Sequence, residues 1–136
     1  MSTGLLLITH GKLGQDMLET VTTIMCQCPL QVKTISVSSN CDPDAEFGAA
    51  RDACAELDQG NGVLVMTDLF GSTPSNIAGR LLERYNVQVI SGVSVPMLLR
   101  ILNYPDASLE KLAEIAVEGA HNGVIVSTRK QAHNHA

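Results

Sequence analysis

The strongest constraint on the fold of this chain is an uninterrupted apolar run, Leu5–Ile8, which is followed by Thr9, His10 and Gly11. A continuous run of this length is typical of a strand that is buried on both faces, as in a parallel sheet. Gly11 permits a turn, and a helical pattern begins near Leu13. Open α/β sheets bind their ligands beyond the carboxyl ends of their strands. The sequence therefore predicts His10 at such an edge, where it could titrate, bind a metal or accept a phosphoryl group.

The same alternation of apolar runs and helical patterns continues along the chain. It predicts one α/β domain, a doubly wound four-stranded parallel sheet with helices on both faces. A short fifth strand at the C-terminus could be exchanged between the subunits of a dimer. Strands are expected at Leu5–Thr9, Val32–Val37, Val63–Thr67, Val87–Ser91 and Gly123–Ser127. Helices are expected at Leu13–Met25, Pro43–Leu57, Thr73–Arg84, Pro96–Leu102 and Leu109–Ala120.

Two local expectations follow from this pattern. On the first helix, helical spacing predicts that Leu13, Met17, Val21 and Ile24 form the buried face. We expect the domain to span residues 1–128, because residues 129–136 are polar and predict a flexible tail.

Composition excludes several classes of protein. The net charge of −5 argues against binding to a nucleic-acid backbone, and two Phe, two Tyr and no Trp provide few platforms for stacked bases. No apolar run approaches the ~18 residues of a membrane helix, and we see no signal peptide. The cysteines lack metal-site spacing, so we expect reduced thiols in a cytoplasmic protein without a metal or cofactor.

Three strand ends are expected to meet at one edge of the sheet. The first carries His10, the third carries Asp68 and the turn Gly71-Ser72-Thr73, and the fourth carries Gly92. The third and fourth strands are each followed by a helix start, whose free N–H groups favour an anion. The combination suits a phosphoryl group carried on His10, with Ser72 and Thr73 as hydroxyl donors.

Asp68 has a specific role in this hypothesis. A carboxylate that accepts a hydrogen bond from one imidazole nitrogen leaves the other nitrogen free to attack phosphorus, and it stabilises positive charge on the ring. Phosphoryl transfer depends mostly on such positioning and charge stabilisation. The chain has no Gly-x-x-x-x-Gly-Lys-Ser/Thr motif, so we do not expect a nucleotide donor bound in that way. Asp68 could otherwise be only a turn residue.

Three motifs carry a resemblance to a known family. They are Ile-Thr-His-Gly after the first strand, Thr-Asp-Leu-Phe-Gly-Ser-Thr-Pro-Ser-Asn at the third, and Ile-Ser-Gly-Val-Ser-Val-Pro-Met-Leu at the fourth. Together they resemble the IIA component of the mannose-family phosphotransferase system, over nearly the whole chain to about Ser127. Phe70 stands where that family often has Trp. Many members also continue into a IIB domain, whereas this sequence ends at residue 136.

The resemblance implies a cytoplasmic phosphotransferase with a phosphohistidine intermediate. Such proteins accept a phosphoryl group from the carrier HPr and pass it to a IIB protein, which phosphorylates sugar during transport. His10 would be the phosphorylation site and Asp68 its orienting carboxylate, while Gly71, Ser72 and Thr73 would lie near the phosphoryl group. The resemblance also implies a homodimer.

Other functions remain open at this point. The chain could carry phosphate for a dihydroxyacetone kinase, or act only as a phosphorylation-state sensor without a IIB acceptor. It could also be a tetrapyrrole metal chelatase, which likewise has a His after its first strand. That chemistry would need a second metal-facing residue, and His121 is the candidate, since His133 and His135 lie in the predicted tail.

Overall fold

Four parallel strands form the centre of the computed structural model, which describes residues 2–129. Their order across the sheet is β2-β1-β3-β4. The strands are β1 (Gly4–His10), β2 (Val32–Val37), β3 (Val63–Thr67) and β4 (Val87–Ser91). The helices are α1 (Leu13–Met25), α2 (Pro43–Leu57), α3 (Thr73–Arg80), α4 (Val95–Leu102) and α5 (Leu109–Asn122), with a 3₁₀ turn at Leu81–Glu83. The predicted α/β class and four-stranded parallel sheet are confirmed.

The uninterrupted apolar runs have a simple structural cause, which is a core on each face of the sheet. Successive residues of a strand point to opposite faces. Leu5 and Leu7 accordingly pack with α1, α4 and α5, whereas Leu6 and Ile8 pack with α2 and α3. All four side chains are fully buried. Helices therefore cover both faces of the sheet, as predicted.

The register of the sheet determines where each strand ends. Ile8 is level with Thr67 in β3, while His10 is level with Val37 in β2. β1 thus extends two residues beyond the end of β3 and one residue beyond its predicted end, because β2 continues to pair with it. His10 is consequently the last residue of β1, and Asp68 immediately follows the end of β3, the shorter neighbouring strand.

The predicted buried face of α1 was wrong in part. Leu13 and Ile24 are exposed, whereas Gly14 and Val21 are buried. The reason is a close approach at Gly14: its N–H donates to Thr9 Oγ1 at 2.8 Å, and a Cβ there would lie 3.2 Å from the Cβ of Leu7. This contact turns the Gly14 face of the helix toward β1 and the Leu13 face toward solvent.

Several helix ends also differ from prediction. α3 stops at Arg80, and the chain tightens into the 3₁₀ turn before Arg84. α4 begins at Val95, one residue early, because Ser94 caps it by accepting a hydrogen bond from the Met97 N–H. α5 continues past Ala120 to Asn122.

The fifth strand predicted at Gly123–Ser127 is not formed in this single chain. Residues 124–128 have no regular secondary structure, and Val124, Ile125 and Val126 are 81%, 76% and 77% exposed. The physical reason is that a strand exists only where another strand pairs with it. The tail predicted at 129–136 lies outside the described residues except for Arg129. Within residues 2–129, no helix is long and apolar enough to span a membrane.

A glycine in α5 allows it to pack closely on α4. A Cβ added at Gly119 would lie 2.6 Å from the Cβ of Arg100, which is closer than real Cβ atoms come. We therefore expect Gly119→Ala to lower the free energy of unfolding by about 1–3 kcal/mol, the usual cost of overpacking. Gly79→Ala in α3 is the control, because that position has open space and alanine favours a helix by roughly 0.5–1 kcal/mol. Urea unfolding would measure the free energy of unfolding of both variants. Equal values for the two variants would contradict the close packing of α5 on α4.

Candidate functional site

The site is built on a contact between the ends of two neighbouring strands. Asp68 Oδ2 lies 2.8 Å from His10 Nδ1 and accepts a second hydrogen bond, at 3.0 Å, from the backbone N–H of His10. The His10 side chain is 53% exposed, whereas that of Asp68 is 12% exposed. The carboxylate of the pair is therefore mostly covered by the protein, while the imidazole remains accessible to a large reactant.

The electrostatics of Asp68 favour its charged form. Burial acts to raise the pKa of Asp68, but hydrogen bonds from the His10 backbone and ring, with the charge of that ring, outweigh it. The net effect holds the pKa of Asp68 below its ordinary value of 3.8. Its contribution to stability is thus present above about that pH and is lost as the pH falls through the folded pKa. Near neutral pH, His10 faces a full negative charge.

The loop after Asp68 turns the chain into α3. Gly71 adopts φ +86°, a conformation that favours glycine, and its N–H donates to Ser75 Oγ at 3.2 Å. Ser72 precedes α3, and its hydroxyl donates to the Leu69 carbonyl at 2.5 Å rather than capping the helix. Thr73 and Pro74 form the first turn, with Thr73 exposed. Gly71, Ser72 and Thr73 thus lie at the start of α3, and the Ser72 hydroxyl, which was predicted to donate to a phosphoryl group, donates to the Leu69 carbonyl in this structure.

Two apolar side chains in this loop face solvent. Leu69 is 63% exposed and Phe70 is 84% exposed, immediately after the carboxylate that contacts His10. Large exposed apolar groups cost free energy in water, and clusters of them mark interaction surfaces. The loop after Asp68 thus exposes two large apolar side chains to solvent.

The loop that follows β4 is hydrogen-bonded to the end of β3, the strand that precedes Asp68. The N–H groups of Gly92 and Val93 both donate to the Thr67 carbonyl at 3.0 Å. The Thr67 hydroxyl donates to Ser91 Oγ at 3.1 Å, which joins the ends of β3 and β4. These bonds hold Gly92, at φ +89°, against the end of β3. The loop after β4 is therefore fixed next to the end of β3, where Asp68 begins the candidate site.

Sequence reasoning missed three contributors to this geometry. Thr9 anchors α1 through Gly14, and buried Ser75 supports Gly71. Both act through hydroxyl contacts with backbone N–H groups that periodicity does not reveal. Phe70 differs from the Trp that is frequent in the family, and an aromatic residue in a loop is the sequence signal for an interaction surface.

The chelatase hypothesis needed His121 to join His10. Instead, His121 lies in the last turn of α5 and lines a groove with Gln88 and Ile90 of β4. Among the described residues, no three or more His, Cys, Asp or Glu side chains converge on a position for a metal ion. The structure brings His10 together with Asp68 rather than with His121.

The chain matches known proteins over most of its length. A family described as PTS system fructose IIA component matches residues 4–117. The PTS system mannose-specific EIIAB component of Escherichia coli (strain K12) is 28% identical over 127 residues, which cover 91% of this chain and 39% of that protein. This chain therefore spans about two fifths of the length of the curated relatives it matches.

Solved structures share the fold. The mannose/sorbose specific IIA subunit from Enterococcus faecalis matches with a TM-score of 0.83 at 22% identity, over 94% of this chain and 96% of that one. A PTS IIA protein associated with the fucose utilization operon of Streptococcus pneumoniae matches with a TM-score of 0.79 at 26% identity, over 98% and 100%. Since the family match extends from β1 into α5, this chain belongs to the IIA components of the sugar phosphotransferase system.

Proposed function

We propose that the chain is a phosphohistidine carrier that accepts a phosphoryl group from HPr on His10 and passes it to a IIB component. The observation that carries the proposal is the 2.8 Å contact between His10 Nδ1 and Asp68 Oδ2, beside a half-exposed imidazole. With Nδ1 engaged as a donor, Nε2 is the nitrogen with a lone pair for attack. Membership of the family supports the same role.

The transfer itself needs few groups. As His10 Nε2 attacks, a bond forms between this nitrogen and phosphorus while the bond from phosphorus to the donor's histidine breaks. Positive charge then develops on the His10 ring, and the Asp68 carboxylate stabilises it. The start of α3, at Ser72 and Thr73, favours the incoming negative charge. Transfer to the IIB acceptor runs the same step in reverse.

The partners must bring their own reactive histidines to the His10 ring. Leu69 and Phe70 would supply the apolar contact for HPr and for the IIB component in turn, because both are exposed in the loop that follows Asp68. One surface that serves donor and acceptor alternately suits a carrier. The sugar would then be phosphorylated downstream of the IIB component.

The direct test is phosphorylation in a reconstituted system. We expect the chain to take up acid-labile, base-stable phosphate when it is incubated with phosphoenolpyruvate, enzyme I and HPr, and to lose it when IIB is added. Omitting HPr should prevent uptake. Uptake followed by no loss to any IIB would support a sensor instead of a carrier, and no uptake would contradict the proposal.

We also propose that two copies associate through the segment 123–128. Its exposed Val124–Val126 side chains can cover the free edge of β4 in a second copy, since β4 ends the sheet. A groove of about 760 Å³ lies beside that edge, lined by Gln88 and Ile90 of β4 and by Ala113 and Val117 of α5. Pairing there would give hydrogen-bond partners to the backbone groups at the edge of β4, and it would bury the apolar side chains of Val124–Val126.

Truncation tests the dimer. We expect the chain ending at Asn122 to sediment as a monomer, because it loses the segment that would pair with β4. The chain ending at Arg129 is the matched control and should remain a dimer, since it keeps the segment and removes only the tail. A dimer that survives truncation at Asn122 would rule out this segment as the main contact.

A further inference from the structure

Basic side chains converge in one pocket that the proposed transfer does not use. Arg51 of α2, Arg80 of α3 and Arg84 after the 3₁₀ turn line a pocket of about 280 Å³. They are three of the nine Lys and Arg residues of a chain whose net charge is −5. Such a local concentration of guanidinium groups on an acidic protein calls for a physical explanation.

One of these guanidinium groups is held in place. The Arg80 Cζ lies 4.1 Å from the centroid of the Phe47 ring, and Nη1 donates to Asp44 Oδ1 at 3.1 Å. The aromatic face and the carboxylate together reduce the freedom of a side chain that would otherwise be mobile. Arg80 therefore presents a largely preorganised group to the pocket.

The other two guanidinium groups retain free donors. Arg51 Nε donates to Asp52 Oδ1 at 3.3 Å, which engages one of its five N–H groups. Arg84 forms no ion pair with any residue in the described range 2–129. The lining itself holds these three guanidinium groups and one carboxylate, Glu83, while Asp44 and Asp52, which pair with Arg80 and Arg51, lie outside it.

From this arrangement we propose that the pocket binds a small phosphate monoester. The planar fork of a guanidinium group matches the oxygens of a phosphate, and two or three such groups can contact one dianion. The volume accommodates a compact ligand, and Phe47 and Tyr85 provide apolar walls for its organic part. A long polyanion is a poor fit, because the rest of the chain is acidic and would repel it.

The pocket is separate from the proposed phosphorylation site. α3 starts in the loop that contains Ser72 and ends at Arg80, and its eight residues span about 12 Å. Arg80 and Ser72 thus lie at opposite ends of one helix. Binding at the pocket would leave His10 free, and it is distinguishable from any anion held at the start of α3.

Titration with glycerol 3-phosphate, followed by backbone amide NMR, tests the proposal. We expect saturable shifts at Phe47, Arg80 and Tyr85, and no comparable shifts with glycerol, which lacks the phosphate. Arg84→Gln should weaken the apparent affinity at least roughly tenfold, the loss of one charge-assisted contact. Arg100→Gln is the control with the same change of charge, because Arg100 lies by Glu118 and Tyr104 instead.

The location of the NMR shifts and their response to the two variants either support or overturn phosphate binding in this pocket. Shifts around Phe47 and Tyr85 that weaken in Arg84→Gln but persist in Arg100→Gln would support the pocket. Shifts confined to Gly71–Thr73 would mean that the anion binds at the start of α3, and would overturn the proposal. So would equal weakening in both variants, which would show only a general effect of charge, or no shift with the wild-type protein.

Discussion

His10→Ala should abolish the acid-labile phosphate that the wild-type chain takes up from HPr. The nucleophile is gone, and the start of α3 can attract an anion but has no imidazole nitrogen to form a bond to phosphorus. The loss should be complete within detection. The fold should survive, because the His10 side chain is 53% exposed and lies at the end of a strand.

Mass spectrometry under mildly alkaline conditions would measure this result. His121→Ala is the matched control and should be phosphorylated at the wild-type level, since His121 lies in the β4–α5 groove rather than beside a carboxylate at a strand end. The tail histidines His133 and His135 should also carry no phosphate. Phosphate retained in His10→Ala would show that another residue is the carrier.

Asp68→Asn should slow phosphoryl transfer from HPr by at least roughly tenfold, a barrier change of about 1.4 kcal/mol. The substitution keeps the size of the side chain but removes the charge that faces the His10 ring. It also lets an NH₂ group face Nδ1, which would favour the tautomer with its proton on Nε2. The reacting nitrogen would then have no lone pair to attack phosphorus.

The accompanying measurements separate catalysis from folding. Binding of HPr should change little in Asp68→Asn, because Leu69 and Phe70 remain in place. Asp42→Asn is the control: Asp42 caps α2 by accepting from the Asp44 N–H, a role that Asn fills nearly as well. Transfer at the wild-type rate in Asp68→Asn would show that the carboxylate is structural and that the His10–Asp68 pair has no part in the reaction.

Features that depend on local sequence could be predicted well. The apolar runs at Leu5 and Val63 predicted strands that are buried on both faces, and the Asp42-Pro43 start of α2 was evident from its cap. The proximity of His10 and Asp68 also followed from topology, because parallel neighbours end at one edge. These signals are local or follow from a general rule of α/β folds.

Features that depend on packing between distant residues could not be predicted from the sequence. The orientation of α1 is set by the contact of Gly14 with Thr9 and Leu7, and helical periodicity alone favoured Leu13 instead. The arginine pocket joins α2 to residues near Arg84, which lie far apart in sequence. The C-terminal segment has strand propensity, but propensity does not supply the neighbour that a strand requires.

We expect Asp68 to select the nitrogen of His10 that carries phosphate. Nitrogen-15 NMR of histidine-labelled, phosphorylated protein tests it directly, because the coupling to phosphorus identifies the bonded nitrogen. We predict phosphorus on Nε2 of His10, with Nδ1 protonated and hydrogen-bonded to Asp68. Phosphorus on Nδ1 would contradict the account, since that nitrogen lies 2.8 Å from the carboxylate in the unphosphorylated chain.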